Sequence, residues 1–288
     1  MIFRPIFIVG VGRSGTSLLQ SLLNAHSRIA FSPETHFIRS YLTKKQSLEE
    51  LKNQILHDQY LSNLKIDLEV IMTDTDNCKT LYKKILTEYL AIKQKDFIGD
   101  KDPKNIEYLK LINNSFPNAL LVHIYRDPRA VISSRLKAKW SKDKPLWQHI
   151  LAYKAQFNYM RKNQDIFGHN FIDIKYENLI KNPKLELGRI LGKLDLKFEE
   201  NMLDSYKNAG EIINKDELSW KDNLLKPIFH ESVDNWRRAL NYKTISNIEK
   251  SLYVEMNESG YDYDSKNSII LSTLYLVLSK IYCIKNCN

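Results

Sequence analysis

The sequence predicts an α/β fold, a central parallel β-sheet flanked by helices. Short apolar runs of strand length alternate with longer stretches of helical spacing. The first such run feeds directly into a glycine-rich turn and a helix. "PIFIVG" (5–10) is continuously apolar, as a buried parallel strand is. "SGTSLLQSLLNAH" follows, with Leu18, Leu19, Leu22 and Leu23 at helical spacing. Further strands are expected at "DFIGD" (96–100), "NALLVHIY" (118–125, introduced by the turn residues "FPN") and "NFIDIKY" (170–176). Helical stretches at about 44–95, 103–115, 128–140, 145–166 and 182–194 separate them, which requires right-handed crossovers. From about residue 200 the pattern is less regular, and no internal repeat is visible.

The chain has 288 residues, 43% of them hydrophobic, enough for one large core. A single domain over 1–288 is expected, with a helical insert at about 41–95 and a carboxyl-terminal helix at about 267–284. The formal net charge of +9 favours anionic partners, or simply a solvated basic surface. Three cysteines (Cys78, Cys283, Cys287), odd in number and badly spaced for a metal site, fit a reducing compartment. With no signal peptide before the first strand, the expectation is a cytoplasmic protein. "SIILSTLYLVLSKIYCI" is too short and too interrupted for a membrane span. It is expected to pack on the domain or on a second copy, with peripheral membrane contact as the alternative.

The turn "GVGRSGTSLL" (10–19) nearly spells a P-loop. Gly10 and Gly15 have the G-x-x-x-x-G-K-[ST] spacing, and Ser17 fills the last position. Thr16 stands where the lysine belongs, and Arg13 sits inside the loop. Backbone N–H groups at such a turn face an anion, and the helix amino end adds positive potential. Arg13 adds a permanent multidentate donor, and Thr16 and Ser17 add hydroxyls. The alternative is a plain glycine turn with a buried capping threonine. In "LLVHIYRDPRAVISSRL", Arg126 falls at a strand's carboxyl end and Pro128 suits a first helical turn. Ser134 lies two turns along, so both can reach one phosphate at the sheet edge where open α/β sheets bind ligands. Otherwise Arg126 pairs with Asp102 or Asp127.

These residues resemble those of sulfotransferases. "VGVGRSGTSLL" resembles the family's 5′-phosphosulfate loop, and "IYRDPRAVISS" its 3′-phosphate motif. "NAHSRIAFSPETHFI" and "IGDKDPKNIEYLKLINNSFPNALLVHIYRD" resemble segments of tyrosylprotein sulfotransferases. "IKYENLIKNP" and "KP…W" (226–236) are weaker likenesses. The resemblance implies a P-loop-containing nucleotide-binding fold. The implied sulfuryl donor is 3′-phosphoadenosine 5′-phosphosulfate (PAPS), with about four negative charges at neutral pH and no metal requirement. It also implies that Arg13, Ser14, Gly15, Thr16, Ser17, Arg126, Ser134, Tyr176 and Lys226 bind the donor. Glu34 would be the acceptor's base, Lys101 would stabilise charge on the departing bridge, and Arg13 would assist catalysis.

Each role has a plainer competitor. Glu34 can be a loop or capping carboxylate, Lys101 a surface lysine paired with Asp100 or Asp102, and Tyr176 a buried core tyrosine. His36 is a second base, placed where tyrosylprotein sulfotransferases carry arginine. His26 and His123 read as structural. Trp220 or Trp236 stacks on adenine or belongs to the core. The family arginine four residues after the serine is Ala138 here, between Lys137 and Lys139. Pro128 replaces the tyrosylprotein enzymes' glycine and is usual among carbohydrate and bacterial sulfotransferases. The acceptor is therefore a hydroxyl of a glycan, lipid-linked glycan or tyrosine, and no nucleic-acid partner is expected. A P-loop kinase remains the alternative, with Asp100, Asp127 and Asp173 near strand ends as magnesium ligands. So does a non-catalytic nucleotide-binding regulator.

Overall fold

A computed structural model describes residues 3–207, 210, 233–264 and 269–287. Five strands, β1 (Ile6–Val9), β2 (Ile29–Phe31), β3 (Phe97–Lys101), β4 (Leu120–Tyr125) and β5 (Phe171–Lys175), form one sheet in the order β2-β3-β1-β4-β5. Every pairing is parallel, and Ile6 aligns with Gly99 on one side and Leu120 on the other. The α/β class, the flanking helices and the central parallel sheet expected from the sequence are all present. β2 was not foreseen. It is three residues long, too short for its apolar character to stand out.

The sheet is fully covered. Phe7 and Val9 point into one core with Tyr82, Ile85 and Phe116, while Ile6 and Ile8 point into another with Leu19, Leu22 and Ile124. This explains the continuously apolar strands: each face packs against helices. Helix α1 (Thr16–Asn24) buries Leu19, Leu22 and Leu23 on the second core.

The stretch between β2 and β3 is divided into helices α2 (Leu48–Leu56), α3 (Gln59–Ser62), α4 (Leu68–Thr73) and α5 (Cys78–Lys93), after a π-helical turn at Ile38–Leu42. Ser47, Asp58, Asp67 and Asn77 cap these four helices with their side chains. The caps break what hydrophobic spacing alone reads as one helical region. Helices α6 (Leu109–Ser115), α7 (Pro128–Lys137), α8 (Leu146–Asn163), α9 (Tyr176–Lys181) and α10 (Pro183–Gly192) complete the main layers.

Beyond them lie α11 (Asn235–Ala239), α12 (Tyr242–Ser251), α13 (Tyr253–Glu258) and α14 (Ile269–Asn286). Helix α14 packs on α8, where Lys154 Nζ donates to Ser272 Oγ at 3.2 Å, and on the 3-10 turn after β3, where Tyr282 Oη donates to Glu107 Oε1 at 2.8 Å. Its other face, with Leu274, Val277 and Ile281, is exposed. No described helix is long and apolar enough to cross a membrane.

Candidate functional site

The carboxyl ends of all five strands open onto one side of the sheet, and each supplies a residue or loop to a cavity of about 1060 Å³. After β1 the chain turns through Gly10–Gly15 into α1. A Cβ at Gly10 would stand 2.4 Å from the Ile124 carbonyl oxygen, so only glycine fits there. Gly15 has φ +101, and a Cβ would meet the Tyr176 ring at 2.4 Å. Arg13 also adopts positive φ (84°), a costly conformation for a side-chain-bearing residue that clusters at functional sites.

Arg13, Thr16 and Ser17 line the cavity beside the first-turn amides of α1, as does Gly15. Ser14 does not line it: its side chain is buried and its amide donates to the Val11 carbonyl at 3.0 Å. The tight turn thus uses the Ser14 N–H within the loop itself.

Arg126, Ser134 and Tyr176 converge on the same loop. Arg13 Nε donates to Ser134 Oγ at 2.8 Å, joining two motifs 121 residues apart. The Arg126 guanidinium lies 4.2 Å from the Tyr176 ring centroid, and its Nη1 reaches the Arg13 carbonyl at 3.5 Å. Tyr176 is buried and also lines the cavity. Asp127 accepts from Arg129, and Asp102 from His36 and Arg39.

The ends of β2 and β3 supply the acid–base groups. Lys101 is fully buried rather than on the surface; it pairs with Glu34 and donates to Ser17 Oγ at 3.1 Å. Lys101 thus bridges the P-loop-like turn and the carboxylate. One residue on, Asp102 Oδ2 accepts from His36 Nδ1 at 2.8 Å and Arg39 Nε at 2.9 Å. Burial raises the Asp102 carboxyl, but the His36 hydrogen bond and charge, with Arg39, outweigh it and hold the group below the usual carboxylate range. His36 has φ 54°, a second strained residue at the cavity wall.

Donor atoms of Glu34, His36 and Asp102 lie within 4.8 Å of one another, close enough to hold a cation. Lys101 on Glu34 and Arg39 on Asp102 place positive charge on both carboxylates, which opposes a metal ion there.

The aspartates that kept a magnesium-dependent reading open do not line the cavity. Asp100 accepts hydrogen bonds from Ser32, Thr35 and Asn105, and burial pushes its carboxyl up to about 6. Asp127 pairs with Arg129, and Asp173 with His123 and Arg161. His26 and His123 have structural partners, the Lys197 carbonyl at 3.0 Å and Asp173 at 2.8 Å. Trp236 is buried against the Arg129 and Arg237 guanidiniums and also lines the cavity. Lys226 and Trp220 lie outside the described residues.

Sequence reasoning missed Arg39, Tyr60, Arg135, Trp140, Trp147 and Tyr282, all cavity-lining. Trp140 and Trp147 sit in the basic loop "KAKWSKDKPLW", and both are about half exposed. Large exposed aromatics beside a motif were the available signal.

Fold and site together define a parallel α/β sheet whose carboxyl edge carries a glycine-rich turn suited to an anion, with a buried lysine–carboxylate pair beside that turn. A family model described as "Sulfotransferase family" matches residues 5–200, and the chain belongs to that family. Human protein-tyrosine sulfotransferase 1 is 29% identical over 137 residues, covering 46% of this chain and 34% of that protein. Caenorhabditis elegans protein-tyrosine sulfotransferase A is 25% identical over 195 residues, covering 66% and 49%. The chain spans less than two thirds of the length of such curated relatives. The same fold occurs in the sulfotransferase domain from the curacin biosynthetic pathway (TM-score 0.68, 18% identity, covering 91% of this chain and 99% of that one). It occurs too in the sulfotransferase domain of the Synechococcus PCC 7002 olefin synthase (TM-score 0.62, 21% identity, covering 91% and 96%).

Proposed function

We propose that the protein transfers a sulfuryl group from 3′-phosphoadenosine 5′-phosphosulfate to an acceptor hydroxyl. The observation that carries this is the position of Lys101, held by Glu34 and Ser17 Oγ beside a loop that has Thr16 in place of the triphosphate-binding lysine. The site's fixed positive charge suits a donor with separate 5′ and 3′ anionic ends. Arg13, Thr16 and the first-turn amides of α1 face the 5′ end, and Arg126 with Ser134 the 3′ end.

In the transfer, the acceptor oxygen attacks sulfur and the bond from sulfur to the bridging oxygen breaks. The electron pair leaves with the 5′-phosphate of 3′-phosphoadenosine 5′-phosphate (PAP). Lys101 moves its charge from Glu34 toward that bridge, and Glu34, released from the ion pair, takes the acceptor proton. His36, held by Asp102, faces the acceptor.

The relatives named protein-tyrosine sulfotransferases support a tyrosine hydroxyl as acceptor. His36 and Pro128 support a glycan or lipid-linked hydroxyl equally. Incubation with sulfur-35-labelled donor and a panel of phenols, tyrosine peptides and glycans tests the proposal. Label should pass to at least one class without added metal. Nucleotide binding without transfer to any class would favour a regulatory protein.

A further inference from the structure

Four basic side chains are buried among the described residues: Lys101, Arg129, Arg135 and Lys154. Lys101 pairs with Glu34, Arg129 with Asp127 and Glu249, and Lys154 with Glu255. Arg135 has no carboxylate within ion-pair distance among the described residues, though it is only 7% exposed. Its Nε donates to His149 Nδ1 at 3.3 Å, and its guanidinium lies 5.3 Å from the Trp140 ring centroid. His149 Nε2 is 3.2 Å from the Lys144 carbonyl, which fits a neutral ring accepting at Nδ1. The buried carboxylate nearest in effect, Glu107, is engaged by Gln156, Tyr282 and Lys104. Burial accordingly pushes the Arg135 guanidinium below its ordinary range, against the weaker pull of Tyr282 and Glu107. A buried charge left this way is costly unless something else completes it.

Arg135 lines the cavity, so an anion can reach it there. It follows Ser134 by one residue, roughly 100° around α7, and its neighbours are His149 and Trp140 rather than the Arg13–Ser134 contact. Lys137 and Lys144, both exposed, line the same cavity. The cavity's acidic side chains, Glu34 and Asp102, are already paired. We propose that Arg135 is an anion subsite on the acceptor side of the cavity, taking a carboxylate, phosphate or sulfate carried by the acceptor itself. This rests on the sulfotransferase reading and narrows its substrate class to anionic hydroxyl compounds.

The test uses PAP-saturated protein and two probes with one phenol ring and opposite charge, 4-hydroxyphenylacetate and tyramine. Calorimetric titration of the parent should show at least tenfold tighter binding of the anionic probe, the scale of one charge-assisted hydrogen bond. Arg135→Met should erase that preference, Arg135→Lys should keep part of it, and PAP binding should be unchanged in both. Ligand-free Arg135→Met should melt no lower than the parent. Equal binding of the two probes, or none, would overturn the subsite. So would PAP binding weakened by Arg135→Met, or a lower melting temperature with the preference intact. Failure of the parent to bind PAP at all would instead refute the sulfotransferase reading.

Discussion

The nucleotide side and the acceptor side of the cavity are built by different means. On the nucleotide side, Arg13, Arg126 and Tyr176 follow β1, β4 and β5, three hydrogen-bonded neighbours in the sheet. Parallel pairing fixes where each strand ends, so Arg126 and Tyr176 emerge directly from β4 and β5 beside the glycine-rich turn that carries Arg13. On the proposed acceptor side, Glu34 and His36 lie in the turn after β2, Arg39 in the π-helical turn, Tyr60 in α3, Trp140 in the α7–α8 connection and Trp147 at the start of α8. In the proposed reaction the sheet thus dictates the donor site, while the connections set what is brought to it. The two buried pairs at the end of β3 show the division within two residues: Lys101 points its partner toward the loop, and Asp102 toward the insert.

The largest expected effect falls where the two sides meet. Lys101→Met leaves Glu34 as a buried carboxylate without its ammonium partner, and should destabilise the fold by about 3–5 kcal/mol. Adding Glu34→Gln should recover most of that loss in denaturant unfolding. Transfer should stay slowed by roughly 10²–10³-fold in both, as expected when an electrostatic donor is removed. Recovery of transfer in the double variant would show that Lys101 acts only on the fold.

Glu34→Gln alone should slow single-turnover transfer by roughly 10²-fold or more while PAP binds as in the parent. His36→Ala should act less, and mainly on acceptor affinity. Normal transfer by Glu34→Gln beside an inactive His36→Ala would exchange the two roles.

Purely on the nucleotide side, Arg126→Ala should cost on the order of 2 kcal/mol of PAP affinity and spare a nucleotide without the 3′-phosphate. Equal loss for both ligands would mean that Arg126 serves the Tyr176 stack and the loop rather than a phosphate.

The smallest effect depends on pH. The folded-state pKa of Asp102 is depressed, so its contribution to stability is present above the ordinary carboxylate value and fades as pH falls toward the folded one. Asp102→Asn should cost roughly 1.5 kcal/mol at pH 7, the lower end for a charged hydrogen bond. The gap to the parent should narrow below about pH 4. A gap constant down to pH 3 would contradict the assigned ion pairs.

The same division explains what the sequence made legible. The glycine spacing of 10–15, the strand-end position of Arg126 and the two-turn offset to Ser134 each encode a geometry by chain distance alone. β2 and the acceptor wall do not. β2 takes its identity from pairing with β3, and Arg135 differs from any helical arginine only in having no carboxylate beside it in space among the described residues. Lys101 looked from its neighbours like a lysine paired with Asp100 or Asp102. Strand alternation carries it to Glu34 instead, 67 residues away.

The central claim, that this loop holds a phosphosulfate donor rather than a triphosphate, is tested most directly by thermal unfolding with matched ligands. Saturating PAP should raise the melting temperature more than ATP with magnesium does, since only the ligand that fits both anion ends binds the folded state tightly. An equal or larger rise with ATP and magnesium would contradict the account.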